Sequence, residues 1–106
     1  MPLLLSGTSV LGMATSGGAR VLAKTSELGA LLPGMKADCI VVDLQQPHLV
    51  PFYNASTLVY AGRGSDVLSS IIDGRLVMEN RRMLTCDLAE VMAKVAEMAA
   101  QVKAAV

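Results

Sequence analysis

The apolar positions change their spacing along the chain, and each change marks an element. Val10, Leu11 and Ala14 give a helical spacing within residues 8–22, with Thr8 or Ser9 as the expected cap. Gly17-Gly18 should halt that helix, because glycine favours unfolded and left-handed conformations. A second short turn then runs from Ala19 to Leu22. Leu28 to Leu32 reads as a short strand, and Pro33-Gly34 as a turn in which proline sets the first corner and glycine takes positive φ. Asp38 to Asp43 is the clearest strand: a β-branched run bounded by acids, which predicts burial on both faces. Residues 45–54 form a loop punctuated by Pro47 and Pro51, and Thr57 to Ala61 is a short apolar stretch of either type. Asp66–Ile72 and Arg75–Glu79 are strands joined at Asp73-Gly74, a pair suited to a type I′ hairpin. Asn80-Arg81 allows another reversal, into a last short strand at Met83-Leu84. From Asp87, an N-cap with Glu90 three residues on, a helix carries the stripe Leu88, Val91, Val95, Ala99 and Val102. Met92, Met98 and Val106 broaden the stripe, and Glu90 and Lys94 pair on the polar side.

Composition narrows the class. The 106 residues fit one small domain, 53% of them apolar but only 3% aromatic. So much apolar surface in so short a chain points to faces meant to meet something outside it. Net charge is zero and no basic patch stands out, which argues against nucleic acid as a partner. Cys39 and Cys86 do not make a disulfide framework and read as reduced thiols, so a cytoplasmic location is expected. Met1-Pro2-Leu3-Leu4-Leu5 mimics a signal-peptide start but has no basic residue before it, and Ser6-Gly7 breaks it at once. No apolar run is long enough to cross a bilayer.

Candidate chemistry is scarce. His48 is the only histidine, and a catalytic zinc site usually takes three protein ligands. His48 therefore reads as a loop residue packing or capping locally, rather than a ligand or general base. Cys39 sits inside an apolar strand and should be inert; Cys86 lies at a helix start where Asp87 opposes thiolate formation. Asp38 and Asp43, five positions apart, point to opposite faces of a regular strand and are expected to satisfy backbone groups. Asp66 invites the same caution, and Asp73 is explained by its turn. Gly7 and Gly12 have the separation of a phosphate loop, but Met13 stands where lysine is required. Gly62-Arg63-Gly64 lacks the third glycine of a dinucleotide fingerprint, and Ser16-Gly17-Gly18 lacks the context of an oxyanion loop.

Several stretches together resemble a known family. Met13-Ala14-Thr15 followed by Gly18-Ala19 and Leu22 resembles the "MAT-x-x-GA-x-x-L" helix of the amidohydrolase superfamily. Leu28 to Asp38, with the strand Ile40 to Asp43, is similar to its "G-x-L-x-x-G-x-x-AD" segment and "IVVD" strand. Pro47 to Asn54, Leu58 to Ala61, Gly64 to Val67 and Asp73 to Asn80 follow in the order seen in its S-adenosylhomocysteine and methylthioadenosine deaminase and triazine chlorohydrolase branch. The likeness runs from about Ser9 to the C-terminus, and residues before about Val10 depart from it.

That resemblance implies an α+β unit without a complete (β/α)8 barrel. Its small β-sheet would form half of the family's composite β-sandwich, flanked by an N-terminal helical segment and a C-terminal amphipathic helix. The implied division is residues 1–27 for the terminal helical segment of the barrel region, 28–86 for the sandwich portion and 87–106 for the helix. The parent would be a hydrolase of carbon–nitrogen bonds using a divalent metal, zinc or iron. The family's metal-binding histidines and aspartate match no position here, so the resemblance assigns this chain no catalytic or metal-binding residue and leaves substrate-binding residues open. The expected partners are the N-terminal barrel part and, through exposed apolar faces, a second copy of the chain. A free-standing binding module is the rival reading; a small enzyme using Cys86 or His48 is a third.

Overall fold

The computed structural model describes residues 5–106. The signal-like start lies outside the described residues except for Leu5. In chain order the elements are α1 (Gly7–Gly12), a π-helical turn (Met13–Gly17), α2 (Gly18–Val21), β1 (Cys39–Val42), α3 (Ala55–Ala61), a 3₁₀ turn (Gly64–Asp66), β2 (Val67–Ile72), β3 (Arg75–Glu79), β4 (Arg82–Met83) and α4 (Leu88–Ala105). The strands form one antiparallel sheet in the order β1-β2-β3-β4.

The first helix is capped by Ser6, whose side chain accepts from the Ser9 N–H, and not by Thr8 or Ser9. Gly17-Gly18 does not halt it. Both glycines take right-handed helical angles, and the chain passes through the π turn straight into α2. The hydroxyls of Thr15 and Ser16 donate to the carbonyls of Leu11 and Gly12 within this wide turn. The helix ends instead at Ala23, at φ 55°, where Lys24 N–H donates to the Ala19 carbonyl and Ala23 N–H to Arg20 in a Schellman arrangement.

Leu28 to Leu32 is not a strand. Among the described residues no strand runs beside it, and the segment lies irregularly against the first helix with Gly29 at φ 97°. Ion pairs from Lys24 and Lys36 to Glu27, with Lys36 N–H donating to the Glu27 carbonyl, close this loop on itself. Residues 55–61 resolve as helix, capped by Asn54, and pack against α1, where Gly7 N–H donates to the Ser56 hydroxyl. Val50–Pro51 is cis.

The hairpins are built by their turns. Asp73 and Gly74 both take positive φ, 51° and 74°, as a type I′ turn requires. Asn80 and Arg81 do the same at 46° and 63°, reversing β3 into β4. A non-glycine residue at positive φ carries strain. Arg81 is held there because its N–H donates to the Leu68 carbonyl and its Nε to the Ser65 carbonyl, at 2.7 and 2.9 Å.

The core is slight. Among the described residues only Ala19 and Leu49 are buried apolar side chains, at 5% and 0% exposure. The β-branched run of β1 was expected to be covered on both faces, yet Ile40 and Val41 stand 60% and 48% exposed. The strand forms, but the described residues leave these two side chains open. Helix α4 forms as its cap dictates, with the Asp87 carboxylate accepting from Glu90 N–H at 3.1 Å and Lys94 pairing with Glu90 at 2.7 Å. All its residues, the apolar stripe included, are exposed. The radius of gyration is 18.2 Å, against about 13 Å for a compact domain of this length.

At Gly29, an added Cβ would lie 2.9 Å from both the Ala19 Cβ and the Ser16 Cα, at a backbone angle unsuited to alanine. Gly29→Ala should destabilise the packing of this loop on the first helix by more than about 1 kcal/mol. Hydrogen exchange of the amides of residues 19–24 would report it as faster opening; unchanged protection would show that the close approach is unimportant.

Candidate functional site

Three places gather polar or reactive groups, or leave apolar surface open. The first is His48. It lies in the loop after β1, and its partner is 18 residues away. The His48 Nε2–H donates to both oxygens of Asp66, at 2.9 and 2.8 Å. Asp66 is 2% exposed, at the end of the 3₁₀ turn that feeds β2, and also accepts the Arg63 N–H at 2.7 Å. The hydrogen bond from His48 holds the Asp66 carboxyl below the usual carboxylate range, against the opposing effect of burial and with help from the Arg63 N–H. Leu49, the next residue along the loop, is the one fully buried large side chain among the described residues. The pair therefore pins this loop and its Leu49 onto the start of β2. Nothing in the local sequence pointed to Asp66 as the partner, since the contact joins two loops that only the folded chain brings together.

The remaining acids also serve the backbone. Asp38 accepts the Asp73 N–H at 2.6 Å, tying the entry of β1 to the tip of the β2–β3 hairpin, where Gly74 N–H donates to the Ala37 carbonyl. Asp43 accepts from Gln45 N–H, from the Gln46 side chain at 2.6 Å and from Arg81 at 3.5 Å; these bonds, Gln45 first, hold its carboxyl below its ordinary range. Cys39 is half-buried in β1 and Cys86 is exposed before α4. Among the described residues, no three His, Cys, Asp or Glu side chains converge as a metal site would need.

The open surface lies between the first helix and the sheet. A groove of about 710 Å³ opens there, lined mainly by apolar groups including Ala14, Leu22, Leu28, Leu31, Ile40 and Ile71. It adjoins β1, an edge strand whose outer side has no strand partner among the described residues. Apolar walls with few convergent polar groups suit the packing of further protein rather than recognition of a polar substrate. No helix among the described residues is long and apolar enough to cross a membrane.

Comparison with known proteins gives this geometry a context. Residues 4–77 match the profile of the amidohydrolase family. A 5-methylthioadenosine/S-adenosylhomocysteine deaminase of Syntrophobacter fumaroxidans is 52% identical over 103 residues, covering 96% of this chain and 24% of that protein. A 5'-deoxyadenosine deaminase of Methanosarcina mazei is 45% identical over 87 residues, covering 81% of this chain and 20% of that protein. Among solved structures, a zinc-bound adenosine deaminase of Xanthomonas campestris superposes with a TM-score of 0.89 at 28% identity, over 94% of this chain and 23% of its own. An atrazine chlorohydrolase of Arthrobacter aurescens complexed with zinc gives 0.79 at 29% identity, over 88% and 20%. The chain thus spans about a quarter of the length of the relatives it matches.

Two outcomes test the role assigned to the His48 loop. Leu49→Ala should cost about 2–5 kcal/mol, as expected for a fully buried leucine, read from a denaturant transition; a cost below about 1 kcal/mol would mean the loop is not anchored there. Asp66 binds its proton less readily folded than unfolded, so the unfolded chain takes up more protons in acid. Its stabilising contribution is complete above the ordinary carboxylate value of about 3.9 and is lost as pH falls through the lowered folded value. Asp66→Asn should flatten the acid limb of the stability–pH curve, and an unchanged limb would contradict this.

Proposed function

Because this chain belongs to the amidohydrolase family, we propose that it is the C-terminal structural part of a metal-dependent hydrolase of carbon–nitrogen bonds, a deaminase or chlorohydrolase. The observation that carries this reading is the 52% identity across 96% of the chain to only a quarter of a deaminase that acts on adenosine-type compounds. The uncovered β1, the groove beside it and the extended shape agree with it, since each is what a piece would look like when lifted off a larger body. In this reading residues 1–27 belong with the barrel region, 28–86 supply part of the composite sandwich and 87–106 are a peripheral helix. The chemistry, activation of water by a bound divalent metal (zinc or iron), belongs to the larger part of the protein. This chain supplies no catalytic group; it closes and supports the fold around that centre. The two unpaired thiols fit a cytoplasmic setting.

The same exposed apolar faces support self-association when the larger part is absent. A two-fold arrangement lets one such face cover its copy. A lasting interface would bury more than about 1,000 Å² in total.

Made alone, the chain should show no turnover of 5-methylthioadenosine or S-adenosylhomocysteine, with or without zinc. Mixed with the remaining three quarters of the Syntrophobacter relative, it should restore zinc-dependent release of ammonia. Turnover by the isolated chain, abolished by His48→Ala, would overturn the reading; so would failure of the mixture both to bind and to react. Sedimentation of the isolated chain at micromolar concentration should show a dimer or larger, whereas a single species near 11 kDa would contradict self-association.

A further inference from the structure

The stripe on α4 identifies one contact of the assembled protein. Leu88, Val91, Val95, Met98 and Val102 follow one another at alternating steps of three and four residues along the helix. That alternation keeps the side chains on one seam and is the spacing with which one helix packs lengthwise on another. These five side chains are 45–65% exposed, with the Glu90–Lys94 ion pair along one edge of the seam and Ala93 and Glu97 on the far side. The described residues leave the seam open.

The superposition on the zinc-bound adenosine deaminase says where α4 stands in a complete enzyme. The match covers 94% of this chain, and the remainder is far shorter than the 18 residues of α4. A TM-score of 0.89 over that extent requires α4 to hold the same position against the sheet in both. More than three quarters of that enzyme's polypeptide lies outside the match. A continuous apolar stripe of this size is not left in water. The rest of the same polypeptide is large and, being tethered, present at high effective concentration, which favours it over a second copy as cover.

Building on the proposed function, we infer that the α4 seam docks lengthwise on an apolar helix of the larger part of the enzyme, and that this contact is a main attachment of the chain to that part. The far side of α4, with Ala93 and Glu97, then faces water, and the Glu90–Lys94 pair flanks the contact. The groove beside β1 is a separate contact, so loss of the α4 seam weakens attachment without removing every point of it.

Calorimetric titration of the 106-residue chain into the remaining three quarters of the Syntrophobacter deaminase tests this, with circular dichroism to check that α4 stays helical. Val95→Asp places a charge in the seam and should weaken binding at least ten-fold. Ala93→Asp places the same charge on the opposite side and should stay within about three-fold of wild type, as should Val95→Leu, which keeps the seam apolar. If Val95→Asp binds as tightly as wild type while remaining helical, the seam is not the dock. If Val95→Asp abolishes self-association but leaves binding to the larger part unchanged, the seam covers a second copy and the inference is overturned. If the wild-type chain does not bind the larger part, the proposed function itself falls and this inference with it, an outcome distinct from wild-type binding that the seam variant leaves intact.

Discussion

Burial of apolar side chains is the main favourable term in folding, and the described residues complete it for only Ala19 and Leu49. The other features of the molecule follow from that shortfall. A chain with so many Val, Leu, Ile, Ala and Met residues has the material for a core, but it spreads that material over surfaces that face outward: the outer part of β1, the groove beneath the first helix and the seam of α4. The extended shape is the geometric expression of the same fact. Sheets and helices that bury one face must find a second layer. In the proposed reading the second layer is the remaining three quarters of an enzyme of this family.

What fixes the local geometry, with so little core, is a set of polar ties between segments distant in sequence. His48 and Asp66 pin the loop after β1 to the start of β2. Asp38 joins the front of β1 to the tip of the β2–β3 hairpin. Arg81 reaches from the second hairpin turn to Ser65 and to Asp43, so one side chain links the approach to β2 with the exit from β1. These bonds specify register more than they add stability, since hydrogen bonds exchange with those made to water. They give the piece a defined surface to present, which docking on a larger body requires.

Elements whose cause is local were legible in the sequence. Asp73-Gly74 and Asn80-Arg81 turn the chain because the positive φ angles they adopt suit two-residue hairpins, and Asp87 starts α4 because its carboxylate caps the first turn. The acids at the ends of β1 were legible as partners for backbone groups. Three features were not, each for a physical reason. Gly17-Gly18 looked like a stop, but glycine is permitted helical angles, and the π turn carries the helix past it. Leu28 to Leu32 had the composition of a strand but no strand to pair with among the described residues. Asp66 as partner of His48 depends on bringing two loops together, which no spacing rule encodes. The apolar run of β1 was read as doubly buried; the strand forms, but Ile40 and Val41 stay exposed among the described residues. The family resemblance drew on the order of many short segments, which is why it held where single motifs were weak.

The proposed reading has the larger part cover the apolar surface this chain leaves open, and the most direct measurement of it is the heat-capacity change when the two associate, obtained from calorimetric titrations at several temperatures. Burial of apolar surface lowers the heat capacity. The expected result is a large negative change, consistent with at least about 1,000 Å² of mainly apolar surface leaving water. Association with a heat-capacity change near zero, or no association at any temperature, would contradict the view that this chain is a structural piece whose core is completed from outside.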